Sequence, residues 1–566
     1  MIKSGLKFSP RTTFVCVAIL LMFQFLTQIH LAKTDSQTSD EAVHLTAGLT
    51  YLTRGDWRWN PEHPPLVKML AAAPVLLIKY NDVSDQSLWQ DSENYFYDSW
   101  RENRNYAEQF MFASGNDADK ILFWARLPMI GLTLMLGLVI FYLASLLFGR
   151  LGGLVSLAIY VLDPTVMAHG HLITTDIALS IGFLGTLWAL WRWLEKRNQQ
   201  RLILFAGILA LTELVKFTAV ILYPVILLII VWYIWRRRLK QSEIMTVLGQ
   251  LLIGAFIVWV IIIAAYGFDL AGAPASTSVS TEVINTLPSQ YHALIGNPTL
   301  QKIDRFYNAT HNLIIPRFYI KGLVMVFVHA GGGHSSFLLG QVSNTGWWYY
   351  FPVLLLAKLP LATIGLIILG ILTIWRKHKL NMLTTALAAS GVIFLIFSMS
   401  SKANLGIRHV LPVMIILIIL AGAVVGASSR IKSVILALII ILVISSWRAF
   451  PYPMSYINML FGGSSKTYQI ATDSNLDWGQ DLHRIKNYVS KNKINKPYIE
   501  YTWAGQAALD YYGFDYRPFS LPSEVNDGTL IIGASAYQSP QWQWLHSLTP
   551  TDRITPSVFV FNLDKK

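Results

Sequence analysis

Cysteine is almost absent from this chain of 566 residues: Cys16 stands alone, so no internal disulfide can form. Charge is scarce as well, at 14% of residues, where soluble globular chains carry roughly 25%. That scarcity excludes an ordinary soluble domain. No internal repeat is visible, which argues against a transporter built from paired halves, and no low-complexity linker divides the chain. The net charge of +13 does not point to nucleic acid. The basic residues come as short clusters between apolar runs, which is the pattern that orients membrane spans.

What the chain has in abundance is apolar side chain, 54% of residues, with 19 tryptophans. Runs long enough to cross a bilayer fall near 14–32, 121–148, 151–167, 176–194, 202–217, 218–235, 245–266, 350–375, 382–399, 409–427 and 433–447. The first is followed by no small-residue cleavage site and reads as a retained helix. With Lys3, Lys7 and Arg11 in the cytoplasm, every connection on that side is basic, among them Arg236–Arg237–Arg238 and Arg376–Lys377. The expected fold is an all-α polytopic membrane domain of about 11 transmembrane helices over residues 1–447. A small C-terminal extracytoplasmic α/β domain follows over 448–566.

This topology places 33–120, 267–349 and the tail outside the cytoplasm. Within the first loop, 66–78 and 89–112 read as helices lying on the bilayer surface. The tail is expected to hold strands at 498–503, 529–534 and 557–562 and a helix near 478–490.

Acidic groups beside a membrane are costly unless they are paired or do chemistry. Asp40, Glu41 and His44 lie just beyond the first span, followed by Glu62 and His63. In a helix starting at Ser39, Asp40 and Glu41 share the first turn. There Asp40 is either a helix cap or a general base for an incoming hydroxyl or amine. Arg126, Lys358 and Arg408 fall at the external ends of spans, where they either clamp a phosphate or pyrophosphate or anchor to headgroups. Glu62-His63 is either a surface turn or part of a site for a divalent ion such as Mg, Mn or Zn, with His329 and His334 adding ligands. Glu213 and Lys216, three apart, are expected to pair with each other. Asp176 opens the fourth span.

The order Asp40-Glu41, Gly55-Asp56-Trp57, Glu62-His63-Pro64-Pro65-Leu66 with Lys68 resembles the GT-C superfamily of integral-membrane glycosyltransferases. Its nearest branch is the protein O-mannosyltransferase and aminoarabinose-transferase group, phospholipid carrier-dependent enzymes that use polyprenyl-phosphate sugars. The resemblance implies Asp40 as catalytic base, Glu41 in support, and Asp176 as the recurring acidic residue of the fourth span. It puts Glu62 beside the donor phosphate or a metal, and His63 in place of the lysine of the aminoarabinose branch, at the phosphate. The implied partners are a polyprenyl-phosphate-linked sugar donor, a lipid, glycan or protein acceptor, and membrane lipids, with no nucleic acid. The tail segment Asp473-Ser-Asn-Leu-Asp477-Trp-Gly-Gln-Asp481 resembles a recurring segment of bacterial and archaeal carrier-dependent glycosyltransferases, and not the β-trefoil MIR domain of eukaryotic O-mannosyltransferases. With one carboxylate base facing the leaving group, the expected outcome is displacement with inversion at the outer face of the inner (plasma) membrane. A transporter or flippase for a lipid-linked sugar and a non-catalytic envelope-assembly protein are the rival classes.

Overall fold

The structure, a computed structural model, describes residues 9–83, 99–268, 315–377 and 381–565, with a few isolated positions between 298 and 305. Parts of the expected 89–112 helix and of the 267–349 loop lie outside the described residues. Among those described, eight helices are long and apolar enough to cross a membrane. A ninth is made if Tyr350–Lys358 and Leu361–Arg376, bent by 107° at their junction, count as one span. The chain is a mostly helical, multi-pass membrane protein with a small mixed sheet near its C-terminal end.

Two expected spans are shorter than a bilayer needs: Arg150–Val161 has 12 residues and Gln199–Glu213 has 15. The first stops because Asp163 and Pro164 start a new helix. The Asp163 carboxylate accepts from Thr165 N at 2.8 Å and Val166 N at 3.3 Å, and Pro164 takes the first helical position, where its missing N–H costs nothing. The apolar run 151–167 is therefore split, and the short helix Pro164–His169 is turned towards the site.

The loop after the first span is built of two helices that touch, Glu41–Arg54 and Pro65–Ala72. They approach so closely that a Cβ on Gly48 would lie 2.1 Å from the Lys68 carbonyl oxygen. Beyond the second helix, Leu76 and Leu77 stay exposed, the apolar edge expected of a segment resting on lipid. The stretch Ser99–Glu108 and Gln109–Ala113 behaves differently from the surface helix expected there. Phe110 and Met111 are buried, so this piece packs into the protein.

In the tail, four strands lie in the order Tyr498–Glu500, Thr529–Gly533, Val558–Asn562, Asp552–Thr555. The first pair is parallel, with Ile499 opposite Ile531, and the others are antiparallel, with Ile531 opposite Val560. Side chains alternate between faces. Leu530, Ile532, Phe559 and Phe561 pack on Trp542, while Ile531, Val558 and Val560 pack on Ile485 of the Leu482–Lys491 helix. The fourth strand was not expected from sequence: it is an edge strand with exposed Asp552 and Arg553, so its apolar alternation is weak.

The tail docks back onto the first loop through the backbone. Ser36 N donates to Gln480 O at 3.1 Å and Ser39 N to Trp478 O at 3.0 Å, and Ser36 Oγ donates to Gly479 O at 2.7 Å. Arg484 closes the seam with an ion pair to Asp35 at 2.6 Å. Burial alone would raise the Asp35 carboxyl, but Arg484 and His171 hold it down at about 2.

Candidate active site

The Glu41–Arg54 helix begins in a way that leaves Asp40 free. Asp40 occupies the cap position, yet its side chain makes no capping hydrogen bond. Just before it, the Glu41 carboxylate ties back the incoming chain: Glu41 Oε2 accepts from Thr38 N at 2.9 Å and Thr38 Oγ1 at 3.0 Å. The Asp40 carboxylate instead pairs with Arg408 at 3.2 Å and keeps 17% of its side chain exposed.

Glu41 is sealed. Besides Thr38 it accepts from Arg126 Nε at 2.9 Å, Arg126 Nη2 at 2.6 Å and Ile173 N at 3.1 Å, with no exposed side chain. Burial would raise its carboxyl, but the Arg126 guanidinium outweighs this and holds it below the ordinary range. Expected in support of Asp40, Glu41 is placed as an anchor of the loop, tied to Thr38, Arg126 and Ile173.

Arg126 is corrected with it. Its remaining donors go to the carbonyl oxygens of Ala32, Asp35 and Ser36 at 2.7 to 3.0 Å. All five guanidinium N–H groups are thus spent on protein, and none is left for a donor phosphate. Lys358, at the bend of the broken span, is likewise turned inward: it donates to Met454 O and Asn475 O, both at 2.7 Å. Lys358 fastens the tail to the membrane helices and is not placed as a phosphate clamp.

Arg408 is where the expected residues converge. Nη2 reaches Asp40, Nη1 reaches Asp176 at 3.5 Å, and Nε reaches Ser474 Oγ at 3.3 Å. The guanidinium lies over the Trp478 ring at 4.1 Å. Gly406 lets the tail come this close, because a Cβ there would stand 2.2 Å from Ser474 Oγ. Asp176 is fully buried; its other oxygen accepts from Lys216 Nζ at 2.6 Å. Lys216 therefore does not pair with Glu213 as expected. The helix ends at Glu213, which breaks the three-residue spacing, and Glu213 accepts from Tyr319 OH instead.

Sequence reasoning undervalued Lys216 and did not find Ser474 or Trp478 as neighbours of Arg408. A charged side chain at the mouth of a span, with no partner settled by spacing, was the available signal for Lys216.

Two cavities are lined by residues of this cluster or their chain neighbours, and a third lies among the spans. One of about 140 Å³ has Lys216, His63 and His409 on its polar side and Phe217, Phe394 and Phe397 among its walls. Burial lowers the basicity of His63, whose ring stands edge-on to His44 at 5.2 Å. Another, of about 290 Å³, lies against the tail and is lined by Asp473, Asn404, Tyr350 and His334. The third, of about 570 Å³, is walled by apolar side chains of the spans, from Leu132 to Trp188 and on to Val215, next in the chain to Lys216.

Glu62 and His334 do not make the metal pair expected of them. Glu62 accepts from His329 Nδ1 at 2.5 Å, while His334 lines the cavity on the tail side and donates to its neighbour Ser335 O. Among the described residues no three His, Cys, Asp or Glu side chains gather as metal ligands. The donor set for Mg, Mn or Zn is not assembled.

Residues 118–262 match the family described as dolichyl-phosphate-mannose-protein mannosyltransferase. The fold resembles the crystal structure of ArnT from Cupriavidus metallidurans bound to undecaprenyl phosphate, at 13% identity, 97% of each chain covered and a TM-score of 0.48. It also resembles the archaeal oligosaccharyltransferase AglB of Archaeoglobus fulgidus in complex with an inhibitory peptide and a dolichol-phosphate. There the identity is 11%, the coverage 90% of this chain and 61% of that one, and the TM-score 0.44. The same oligosaccharyltransferase in complex with Zn and sulfate aligns at 10% identity over 89% and 59%, with a TM-score of 0.39. No curated protein matches the chain by sequence.

Proposed function

We propose that this chain, which carries the mannosyltransferase-family segment at 118–262, is a membrane glycosyltransferase that moves a sugar from a polyprenyl-phosphate donor to an extracytoplasmic acceptor. The observation that carries the reading is the state of Asp40. It stands at the cap position of its helix without making a capping hydrogen bond, and is held against Arg408 with part of its surface open.

The reaction follows from the charges. The donor presents its anomeric carbon at the headgroup plane, and its leaving group is a lipid phosphate. The apolar 570 Å³ cavity takes the isoprenoid chain. Lys216, His63 and Arg408 then face the phosphate. The donor's phosphodiester, a monoanion, competes with Asp40 for the Arg408 fork, which suits bidentate binding and gains more from it as the leaving phosphate takes up its second negative charge. As Arg408 turns to the phosphate, Asp40 loses its ion pair and becomes available as a base. It takes the proton of the acceptor hydroxyl as that oxygen attacks the anomeric carbon. The C–O bond to phosphate breaks, the phosphate leaves with the electron pair, and the configuration inverts. Donor binding and base activation are thus one event. Asp176 keeps Lys216 and Arg408 aimed, and Arg126–Glu41 holds the helix that carries Asp40.

The active face and the tail are assigned to the extracytoplasmic side, on the basic residues of the opposite loops. The test of function is a transfer assay with the purified full-length protein, radiolabelled polyprenyl-phosphate sugars and an envelope extract from cells lacking the gene. Labelled lipid or glycan product is expected, with release of polyprenyl phosphate. Movement of intact donor across a vesicle membrane with no transfer would instead establish the flippase reading.

A further inference from the structure

The cavity between the tail and the membrane helices has a chemistry of its own. Its volume is about 290 Å³, it contains no lysine or arginine among the described residues, and its wall includes Asp473, Glu500, Trp503, Ser539, Gln538 and Gln541. It adjoins the reacting centre. Asp473 precedes Ser474, which binds Arg408, and the Asp473 carboxyl is raised by burial, which outweighs the lowering by His334 and Arg408. Asp473 also holds a left-handed backbone, φ 59°, a conformation that costs free energy outside glycine and gathers at functional sites.

Three of its groups lack partners or are posed for one. Glu500 has no side-chain hydrogen bond among the described residues, and burial raises its carboxyl. Ser539 Oγ is buried and unsatisfied, a state that costs free energy until a ligand fills it. Trp503 is fixed by its Nε1 donating to Asp477 O at 2.7 Å, with its ring in the cavity wall.

We infer that this cavity is the acceptor subsite and that it takes a neutral polyhydroxylated ligand, a glycan end, rather than an anionic lipid headgroup or a peptide. The inference rests on the transferase reading above. Carboxyl, amide and hydroxyl groups together accept from and donate to adjacent sugar hydroxyls. An indole face covers the apolar C–H face of a pyranose ring. A phosphorylated acceptor would meet the carboxyl groups of Asp473 and Glu500, with His334 the one basic side chain in the wall among the described residues, and would be disfavoured. The catalytic carboxylate Asp40 lies on the Arg408 side of the same wall, where an acceptor hydroxyl must arrive.

The test uses full-length protein in lipid nanodiscs and saturation-transfer NMR. The probes are neutral gluco-, manno- and galacto-trisaccharides, a lysine-containing peptide and an anionic sugar phosphate, with undecaprenyl phosphate binding read separately. At least one neutral trisaccharide is expected to bind. Glu500→Ala and Trp503→Ala are expected to weaken it about tenfold, while Trp503→Phe retains it and undecaprenyl phosphate affinity stays within about twofold in all variants. Wild-type protein that binds undecaprenyl phosphate but no neutral trisaccharide overturns the inference. So does preference for the peptide or the sugar phosphate, or trisaccharide binding that the variants leave unchanged. Failure to bind undecaprenyl phosphate, with trisaccharide binding intact, counts against the transferase reading and not against the subsite.

Discussion

Asp40 and Arg408 are 368 positions apart in the chain and meet at 3.2 Å. One comes from the loop after the first span, the other from the mouth of a late span, and the contact is the hinge of the chemistry proposed.

Asp40→Asn keeps the shape and a hydrogen-bond acceptor but cannot take a proton. Turnover is expected to fall by a factor on the order of 10²–10⁴. Undecaprenyl phosphate affinity should hold or rise, because Arg408 no longer has a competing anion. A helix cap tolerates Asn as well as Asp, so near-normal turnover at equal folded concentration would return Asp40 to a structural role.

Arg408→Ala should weaken undecaprenyl phosphate binding by about 1.5–3 kcal/mol, the usual worth of a charged hydrogen bond. Arg408→Lys should recover little of it, since an ammonium cannot span Asp40, Asp176 and Ser474 at once. Calorimetric titration of both variants decides this. Equal affinity in Arg408→Lys and wild type would show that only the charge matters.

Arg126→Ala leaves the Glu41 carboxylate buried without its partner. Removing one half of a buried ion pair costs about 3–5 kcal/mol. Thermal unfolding in detergent should therefore show a large loss of stability, whereas Arg126 as a phosphate ligand would lose donor affinity with the fold intact.

The tail carries a pH signature at Asp477. Burial first, and then the charge of Asp481, raise its carboxyl to about 7. A carboxyl raised in the folded state stabilises fully below its unfolded value of about 3.9, and this contribution is lost as pH rises through about 7. Thermal stability should thus decline between pH values of about 4 and 8, and Asp477→Asn should flatten that slope. A slope unchanged in the variant would assign it to other groups.

The spans were legible in the sequence because hydropathy is a local property, and so was the Asp40 loop, whose residues are contiguous. The reading of 151–167 as one span passes over the Asp163-Pro164 start signal, which is itself local. Arg126, Lys358 and Lys216 are a different case. A charge at the end of a span can face lipid, water or protein, and only three-dimensional packing decides which.

The seam between Ser36–Ser39 and 478–480 has a consequence for how the protein comes into being. The helix that carries Asp40 is tied to backbone that lies hundreds of residues later, and Arg408 rests on Trp478 and Ser474. During synthesis every span can be inserted while the site is still missing one wall. A chain halted before residue 473 would lack the Ser474 and Trp478 contacts of Arg408. The cluster is completed last, when the tail has folded against Ser36–Ser39.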